Sequence, residues 1–570
     1  MFDRLTFIEK KIFDSLSLLL LFFYSYSAIV QPVSTQFHRG IYIVITYVLV
    51  FMVYPIKWPQ FRFLDYILIT LSIVSIGYWM LNFESINYRV GAENDLDRII
   101  AVIGVLLGIE LARRVVGVVF VFIGSILLFY GVYGDIMPDM ISHAGASFVD
   151  LCTTIFYKSD GVFGIMANVL ATYVILFVLF GAFLEASGAQ QFFVKWPLAV
   201  FGHKTGGPGK VAVIASGLFG SISGSAIANV ASTGTFTIPM MKKAGFEPHV
   251  AGGIEPAASI GGMFMPPIMG AGGFIMAELT GIKYSHIMLV ALMPALLYFF
   301  SVYVMVHYYA KKHGIKGERS KVKGMVIFKN GWYFLTPLIL ISILMLLGYS
   351  PAFAAVWGMI CCIAISWFRK DTRITPSSFL AAARKGAESG LKIGATVGVI
   401  GIIIGVLTFS GLILTFADIV IEIAEGKLWL TILLIALASL ILGMGVPVTA
   451  AYLITATVAV PALTELGVNQ LASHMIVYWL SQDSNITPPV CIAAFVGATI
   501  AKANMWRTAF MSFIFAKFLY LAPFLFGYVP GFSLDGTAFD IAKVMLLILF
   551  GTWGYSYLMS GYWFKYFKRA

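Results

Sequence analysis

Three serines alternate with small or apolar residues in Gly220-Ser-Ile-Ser-Gly-Ser225, and Asn229 and Thr233 follow at one-turn intervals. Hydroxyls gathered with free carbonyls at a helix end make an oxygen cage for a small hard cation, while the N–H groups of the next helix suit a carboxylate. Ser223, Ser225, Asn229 and Thr233 are therefore the expected contacts for a small anion, with Ser223 also facing an ion. A second polar run, Asp483-Ser-Asn-Ile-Thr-Pro-Pro489, interrupts an otherwise apolar region. An acid inside a span is costly and marks function by default. Asp483 reads as a cation ligand, as a proton carrier, or as a cap on the half-helix beginning at Pro488. Asn485 and Thr487 stand beside it as ligand contacts, Asn485 for the ion as well, completing a site that faces the serine-rich loop. Glu255, between Gly253 and Pro256, reads either as a coupling acid or as a buried acid satisfied by backbone N–H groups.

The remaining candidates are backbone. Gly443-Met-Gly-Val-Pro447 has no hydroxyl, so Gly443 and Gly445 would offer carbonyls to an ion, with Thr449 nearby. Gly224, Gly261, Gly262, Pro266, Pro267, Pro447, Pro488 and Pro489 are expected to shape the breaks rather than bind. Serines and glycines also let helices pack closely, which is the competing account of Ser221 above all.

These residues sit in two corresponding stretches. Pro239 and Gly245 recur as Pro461 and Gly467, and Pro266-Pro267 recurs as Pro488-Pro489, each 222 residues on. Apolar segments broken by Gly and Pro at matching places in two halves point to the site of a secondary transporter, because irregular backbone at membrane depth is tolerated where it lines a cavity. The chain that carries them is 60% hydrophobic and 11% charged over 570 residues, with a mean hydropathy of +0.91. That is an all-α polytopic membrane protein. The net charge of +11 belongs to short loops between spans and implies lipid, not nucleic acid.

In chain order, residues 1–134 form a module of five spans, at about 16–33, 39–56, 62–82, 98–112 and 115–134, and 135–167 is a polar linker. The first half of the repeat runs over 168–310 with its broken unit at 211–281. A basic loop at 311–330, holding Arg319 and Lys321, leads to the second half, 331–570, broken at 439–503. Basic residues 369–385 are expected in a loop before a span at 391–416. Arg4, Lys10 and Lys11, then Lys57 and Arg62, then Arg113 and Arg114 fall on alternate connections, and the tail carries Lys565, Lys568 and Arg569. With positive charge retained inside, both termini are cytoplasmic. The first span shows no cleavage motif and is expected to stay. The four cysteines have no metal-ligand spacing, and no transition metal or organic cofactor is expected.

The segments SISGSAIANVASTG, IPMMKKAGF and GGIEPAASIGGMFMPPIMGAGGFIMAE resemble the large membrane subunit of tripartite ATP-independent periplasmic (TRAP) transporters, in the TAXI branch where small and large subunits are fused. At the Gly-Gly the chain has Ile260 and Met263 where that branch carries Thr and Gln. The resemblance implies an inverted-repeat, elevator-type importer in the inner membrane, with residues 1–134 as the stationary small-subunit module. It further implies a TAXI-type extracytoplasmic binding protein that delivers a small organic anion, with Na+ or H+ as coupling ion and no ATP. Consistently, the chain holds no G-x-x-x-x-G-K-[ST] loop. A standalone sodium-coupled dicarboxylate symporter is the alternative, since Ser484-Asn-Ile-Thr487 resembles its hairpin tips. A membrane enzyme would need converging acids, histidines or metal ligands, and the spans hold isolated acids only.

Overall fold

The computed structural model describes residues 2, 5–317 and 322–563. Arg4, Arg319, Lys321 and the tail residues Lys565, Lys568 and Arg569 lie outside the described residues. Every regular element among those described is helical, and nine are long and apolar enough to cross a membrane.

The N-terminal helices are α1 (Phe7–Ile29), α2 (Thr35–Val53), α3 (Arg62–Tyr88), α4 (Asp95–Val115) and α5 (Val118–Val132). Their ends are built from polar residues at the span boundaries. Thr6 and Glu9 cap α1 reciprocally, and Asn94 and Asp97 do the same for α4, each pair satisfying donors that a helix start leaves open. Arg89 then closes on Asp97 through two hydrogen bonds of 2.6 and 2.7 Å, which holds that carboxyl below the usual carboxylate range. Arg114 reaches Asp65 at 2.5 Å and Glu110 at 2.7 Å, tying α4 to α3.

The boundary stretch 135–167 is not the open linker that its polarity suggests. It contains α6 (Phe148–Tyr157), whose Leu151, Cys152, Ile155 and Phe156 are buried in a helix packed among α4, α5 and a later helix, with Phe156 on Gly104 of α4 and Leu151 on Gly131 of α5. Four apolar residues at helical spacing outweigh the flanking polar ones. α7 (Ile165–Val169) runs through a π-helical turn, Leu170–Val174, into α8 (Ile175–Ala186), and α9 (Ala189–Phe201) follows.

The first broken unit is α10 (Gly207–Ser223), α11 (Ala226–Lys243), α12 (Pro248–Gly261) and α13 (Gly270–Thr280). α14 (Tyr284–His313), α15 (Gly324–Lys329), α16 (Thr336–Leu346) and α17 (Pro351–Ser366) lead on to α18 (Pro376–Gly394), α19 (Val397–Ser410) and α20 (Leu412–Ile423). Here the basic loop expected over 369–385 is half helix. Thr375 and Ser378 form a capping box with Pro376 at the first helical position, so α18 starts early. Its small face packs on α8, while Arg384 pairs with Asp14 at 2.8 Å and Lys385 with Glu185 at 2.6 Å. α18 and α19 thereby pack with the N-terminal helices: α18 lies on α1 and α8, and α19 on α4, α5 and α6.

The second broken unit is α21 (Leu428–Leu442), α22 (Val448–Glu465), α23 (Gln470–Leu480) and α24 (Ile492–Ala501), and α25 (Met505–Phe515), α26 (Phe518–Tyr528) and α27 (Ala538–Met559) complete the chain. The starts of α22, α23 and α24 fall 222 residues after those of α11, α12 and α13. Even the left-handed residues opening the half-helices correspond, Met269 with φ 57° and Cys491 with φ 25°. The units also exchange parts: α24 packs along α11 and α12, and α13 along α22 and α23. They form one body.

Candidate functional site at the paired helix breaks

In each unit a hairpin of two packed helices is followed by a helix that stops and restarts. Gly224, at φ 61°, ends α10, and Ser225 starts α11 by accepting from the Ala228 N–H at 3.3 Å. Ser223 Oγ donates to the Ser225 carbonyl at 3.4 Å, and both serines are half-buried. This tip touches the start of α13, where a Cβ on Gly224 would lie 3.3 Å from the Gly270 Cα. Below it the hairpin meets the break backbone to backbone, since a Cβ on Gly262 would lie 2.4 Å from the Gly220 Cα. Gly261 accommodates the rings of Tyr298 and Phe299. Pro266 and Pro267 lack the N–H groups that would carry the helix through, so the chain restarts only at Gly270.

Asn229 and Thr233 do not line an open surface. Both are buried and turned inward, where the Asn229 amide donates to the Ser216 carbonyl at 3.0 Å and Thr233 Oγ1 donates to Glu255. Glu255 is wholly buried, and its partners are hydroxyls rather than the backbone N–H groups expected: Ser216 at 2.6 Å, Thr233, and Thr237 at 2.5 Å. The open face of α11 is instead Ala228, Ala231, Thr235, Phe236 and Pro239, with Ser232 half-buried beside them.

Tyrosine hydroxyls close the first break. Tyr478, from the second unit, donates to the carbonyls of Met263 (2.7 Å) and Met269, and Tyr284 donates to those of Pro267 (2.9 Å) and Ile268 (2.6 Å). The second break is left differently. Asp483 Oδ1 and both polar atoms of Gln482 are buried without a hydrogen-bond partner, and so are Ser439 Oγ on α21 and Thr449 Oγ1 at the start of α22. Here too the hairpin meets the break: a Cβ on Gly443 would come within 2.5 Å of Ser484 Oγ. Gly445, at φ 72°, and Pro447 turn the tip. The Asp483 side chain does not cap the following half-helix, which begins at Ile492, beyond Pro488 and Pro489. Asn485 is buried and donates to the Gln482 carbonyl at 3.4 Å, and Thr487 Oγ1 lies 2.5 Å from the Tyr520 hydroxyl. Thus Ser223 and Ser225 stand beside the start of α13, while Gly443 and Ser484 meet beside Asp483. No hydrogen bond among the described residues joins the two sets.

Unpaired oxygens from a carboxylate and two hydroxyls, beside a glycine turn, suit a small cation in kind, and single unpartnered hydroxyls elsewhere, such as Ser75 and Thr552, have no unpartnered acid beside them. Ser439 and Gln482 were legible as polar residues within apolar runs next to the breaks. Tyr478, Tyr284 and Tyr520 were not, in a chain with 27 tyrosines.

The sequence from residue 103 to 532 matches the model of the DctM component of tripartite ATP-independent periplasmic transporters. The chain belongs to this family. The permease is 24% identical over 339 residues to the sialic acid TRAP transporter permease protein SiaT of Haemophilus influenzae, an alignment covering 58% of the permease and 53% of SiaT. It is 26% identical over 384 residues to the sialic acid large permease protein SiaM of Vibrio cholerae (66% and 88% covered). To the C4-dicarboxylate large permease protein DctM of Pseudomonas aeruginosa it is 25% identical over 359 residues (59% and 81%). Among solved structures, the YdaH transporter of Alcanivorax borkumensis shares the fold at a TM-score of 0.51 with 17% identity, over 73% of the permease and 98% of that chain. The family is one of transporter permeases and not of enzymes.

Polar contacts link the permease's repeat units to the helices that precede them. Asn168 on α7 donates to Glu278 on α13 at 2.7 Å, and Arg39 on α2 donates to Asn168 at 3.2 Å. Beside them a cavity of about 160 Å³ is lined by Tyr173, Phe274, Glu278, Lys283, Tyr284 and Pro351.

Proposed function

We propose that the permease is a secondary active importer of the inner membrane, taking a small organic anion, a carboxylate, from a TAXI-type extracytoplasmic binding protein. The observation that carries this reading is the second break, where a buried acid and neighbouring hydroxyls are unpartnered at the joint of two exchanged repeats. The relatives named above are permeases for sialic acid and C4-dicarboxylate, both organic anions. In this reading Asp483, Ser439, Thr449 and the carbonyls of Gly443 and Gly445 take up the coupling ion, Na+ or H+. Ser223, Ser225, Asn485 and Thr487 flank the anion, which faces the N-terminus of α13. Asn229 and Thr233 act through the hairpin's interior rather than by contact.

Movement follows from the layout. The two units travel together as an elevator against the support of α1–α6, α8, α18 and α19. The basic connections at Lys10 and Lys11, at Lys57 and Arg62, and at Arg113 and Arg114 alternate with the one holding Glu93 and Asp95, which supports a cytoplasmic placement of both termini with Asp418 and Glu422 at the acidic end opposite. The exposed face of α11 then opens inward, and the acidic end receives the binding protein. The test is uptake of radiolabelled succinate and a panel of other carboxylates into proteoliposomes, with and without the binding protein, under an imposed Na+ or pH gradient. Uptake is expected only with both. Gradient-driven uptake without a binding protein would instead identify a standalone symporter.

A further inference from the structure

Glu255 has no place in the ion site just described, yet it is the most heavily hydrogen-bonded acid of the repeat body. Its carboxyl sits in the middle of α12 with no exposure. Oε1 accepts from Ser216 on α10 and Thr233 on α11, and Oε2 from Thr237 on α11. Among the described residues no lysine, arginine or histidine pairs with it. The charged groups on the elements packed around it are Lys210 on α10, Lys242 and Lys243 on α11, His249 on α12, Lys502 after α24, and Arg507 on α25. On α14 they are His286, His307, Lys311, Lys312 and His313. Those with partners are engaged elsewhere: Lys210 with His307 at 3.0 Å, Lys242 with the Ala501 carbonyl at 2.7 Å, and His249 with Glu247 at 3.5 Å.

A carboxylate buried without a counter-cation either keeps a fixed set of donors or takes up a proton. The cage around Glu255 is not fixed. Thr233 Oγ1 has the Asn229 carbonyl at 2.8 Å as a second acceptor, and Thr237 Oγ1 has the Thr233 carbonyl at 3.1 Å. Ser216 and Thr233 lie 3.2 Å apart and can bond each other. A fourth hydroxyl, Ser259 Oγ, stands one helical turn along α12 facing the carboxyl, a further donor to its ionised form. The same residues therefore satisfy two states. With the carboxyl ionised, these hydroxyls donate to it. With the carboxyl protonated, its O–H is donated to one of these hydroxyl oxygens and the threonines turn their own protons back to the carbonyls of the preceding turn. A purely structural carboxylate needs only the first arrangement.

We propose that Glu255 is a proton-binding site inside the first repeat, so that a proton forms part of the load carried by the moving body. The second clause rests on the importer reading, and the first does not. A route to the hairpin tip exists: Thr233 bonds Asn229, whose backbone N–H donates to the Ser225 carbonyl at 2.9 Å. Loss or gain of the proton resets Thr233 and through it the tip.

Infrared difference spectra of the purified full-length permease across a pH series test this directly. Wild-type protein is expected to show a protonated-carboxyl C=O band at neutral pH that Glu255→Gln removes. Ser259→Ala leaves the acid but deletes a hydroxyl donor to its ionised form, so proton affinity should rise about tenfold, moving the band's midpoint up by about one pH unit. A spectrum with no such band, a band unchanged in Glu255→Gln, or a midpoint unmoved in Ser259→Ala would overturn the assignment. Binding-protein-dependent uptake reports separately on the importer reading. A permease with the band and no uptake keeps its proton site, and one with uptake and no band loses it.

Discussion

The two helix breaks share one backbone and differ in what surrounds it. Both follow a hairpin, both contain adjacent prolines, and both restart on a left-handed residue 222 positions apart. In the first, the hydroxyls of Tyr284 on α14 and of Tyr478 from the other repeat each stand between two freed carbonyls and share one proton between those two, and the acid of the same unit is caged by hydroxyls. In the second, one oxygen of a carboxylate, both polar atoms of an amide and two hydroxyls are buried without a hydrogen-bond partner. The repeat sets the shape, and departures from the repeat set the chemistry. Position by position, Gly261 answers Asp483 and Ile260 answers Gln482, so the polar atoms of the open break have no counterpart in the closed one. Local violations of pairing in an otherwise consistent fold are expected where function sits.

The largest effect should come from Asp483→Asn, which removes the full charge from the open break while keeping its shape. Coupling between two ligands commonly spans roughly 5- to 150-fold in affinity, and stabilisation of the permease by its ion should disappear. Thermal midpoints against NaCl, and against pH at fixed Na+, measure this; a variant that responds as wild type does would remove Asp483 from the site. Tyr478→Phe attacks the closed break instead. It strands the buried carbonyls of Met263 and Met269 and should lower stability by about 1–3 kcal/mol, read as a drop in thermal midpoint with the ion response intact. Gly262→Ala belongs with it, because its Cβ would overlap Gly220 and overpacking costs about 1–3 kcal/mol. If Tyr478→Phe and Asp483→Asn prove equivalent in both readouts, the contrast between the breaks is wrong.

How much of this was legible beforehand follows the same division. Pro266-Pro267, Pro488-Pro489, Gly245 and Gly467 announced the repeat because proline and glycine constrain backbone locally, whatever lies around them. The all-helical membrane fold came from composition, and Gly224 and Ser225 marked a tip that the structure places there. Asn229 and Thr233 were misdirected for a plain reason: a helical residue faces two ways until its neighbours are known, and Glu255 sits across the hairpin from them. The tyrosines that close the first break act over distances of up to 215 residues, and no local pattern encodes such contacts. The helix within 135–167 and the early start of α18 were obscured by the polar residues that cap them.

Tyr520→Phe refines the comparison on a smaller scale. Tyr520 stands 222 positions after Tyr298, yet Tyr298 donates to the Ala257 carbonyl at 2.6 Å while Tyr520 meets Thr487 beside the open break. Losing one such hydrogen bond should cost about 1 kcal/mol. The loss is expected in ion affinity, a few-fold, since Thr487 loses the partner that holds it beside Asp483; Tyr298→Phe should lower the thermal midpoint and leave ion affinity alone. The smallest effect belongs to the polar contacts between the repeat units and the helices that precede them. Asn168→Ala removes the bridge from Arg39 to Glu278, a hydrogen-bonded contact at the protein surface worth about 0.5–1 kcal/mol. That is enough to change the balance between two positions of the repeat body a few-fold. A pair of fluorophores, one on the support and one on the body, would report it as a shift in the two populations with the distances themselves unchanged. A single unshifted population in both proteins would mean that the body does not move against α2 and α7, and that the two breaks work inside a rigid frame.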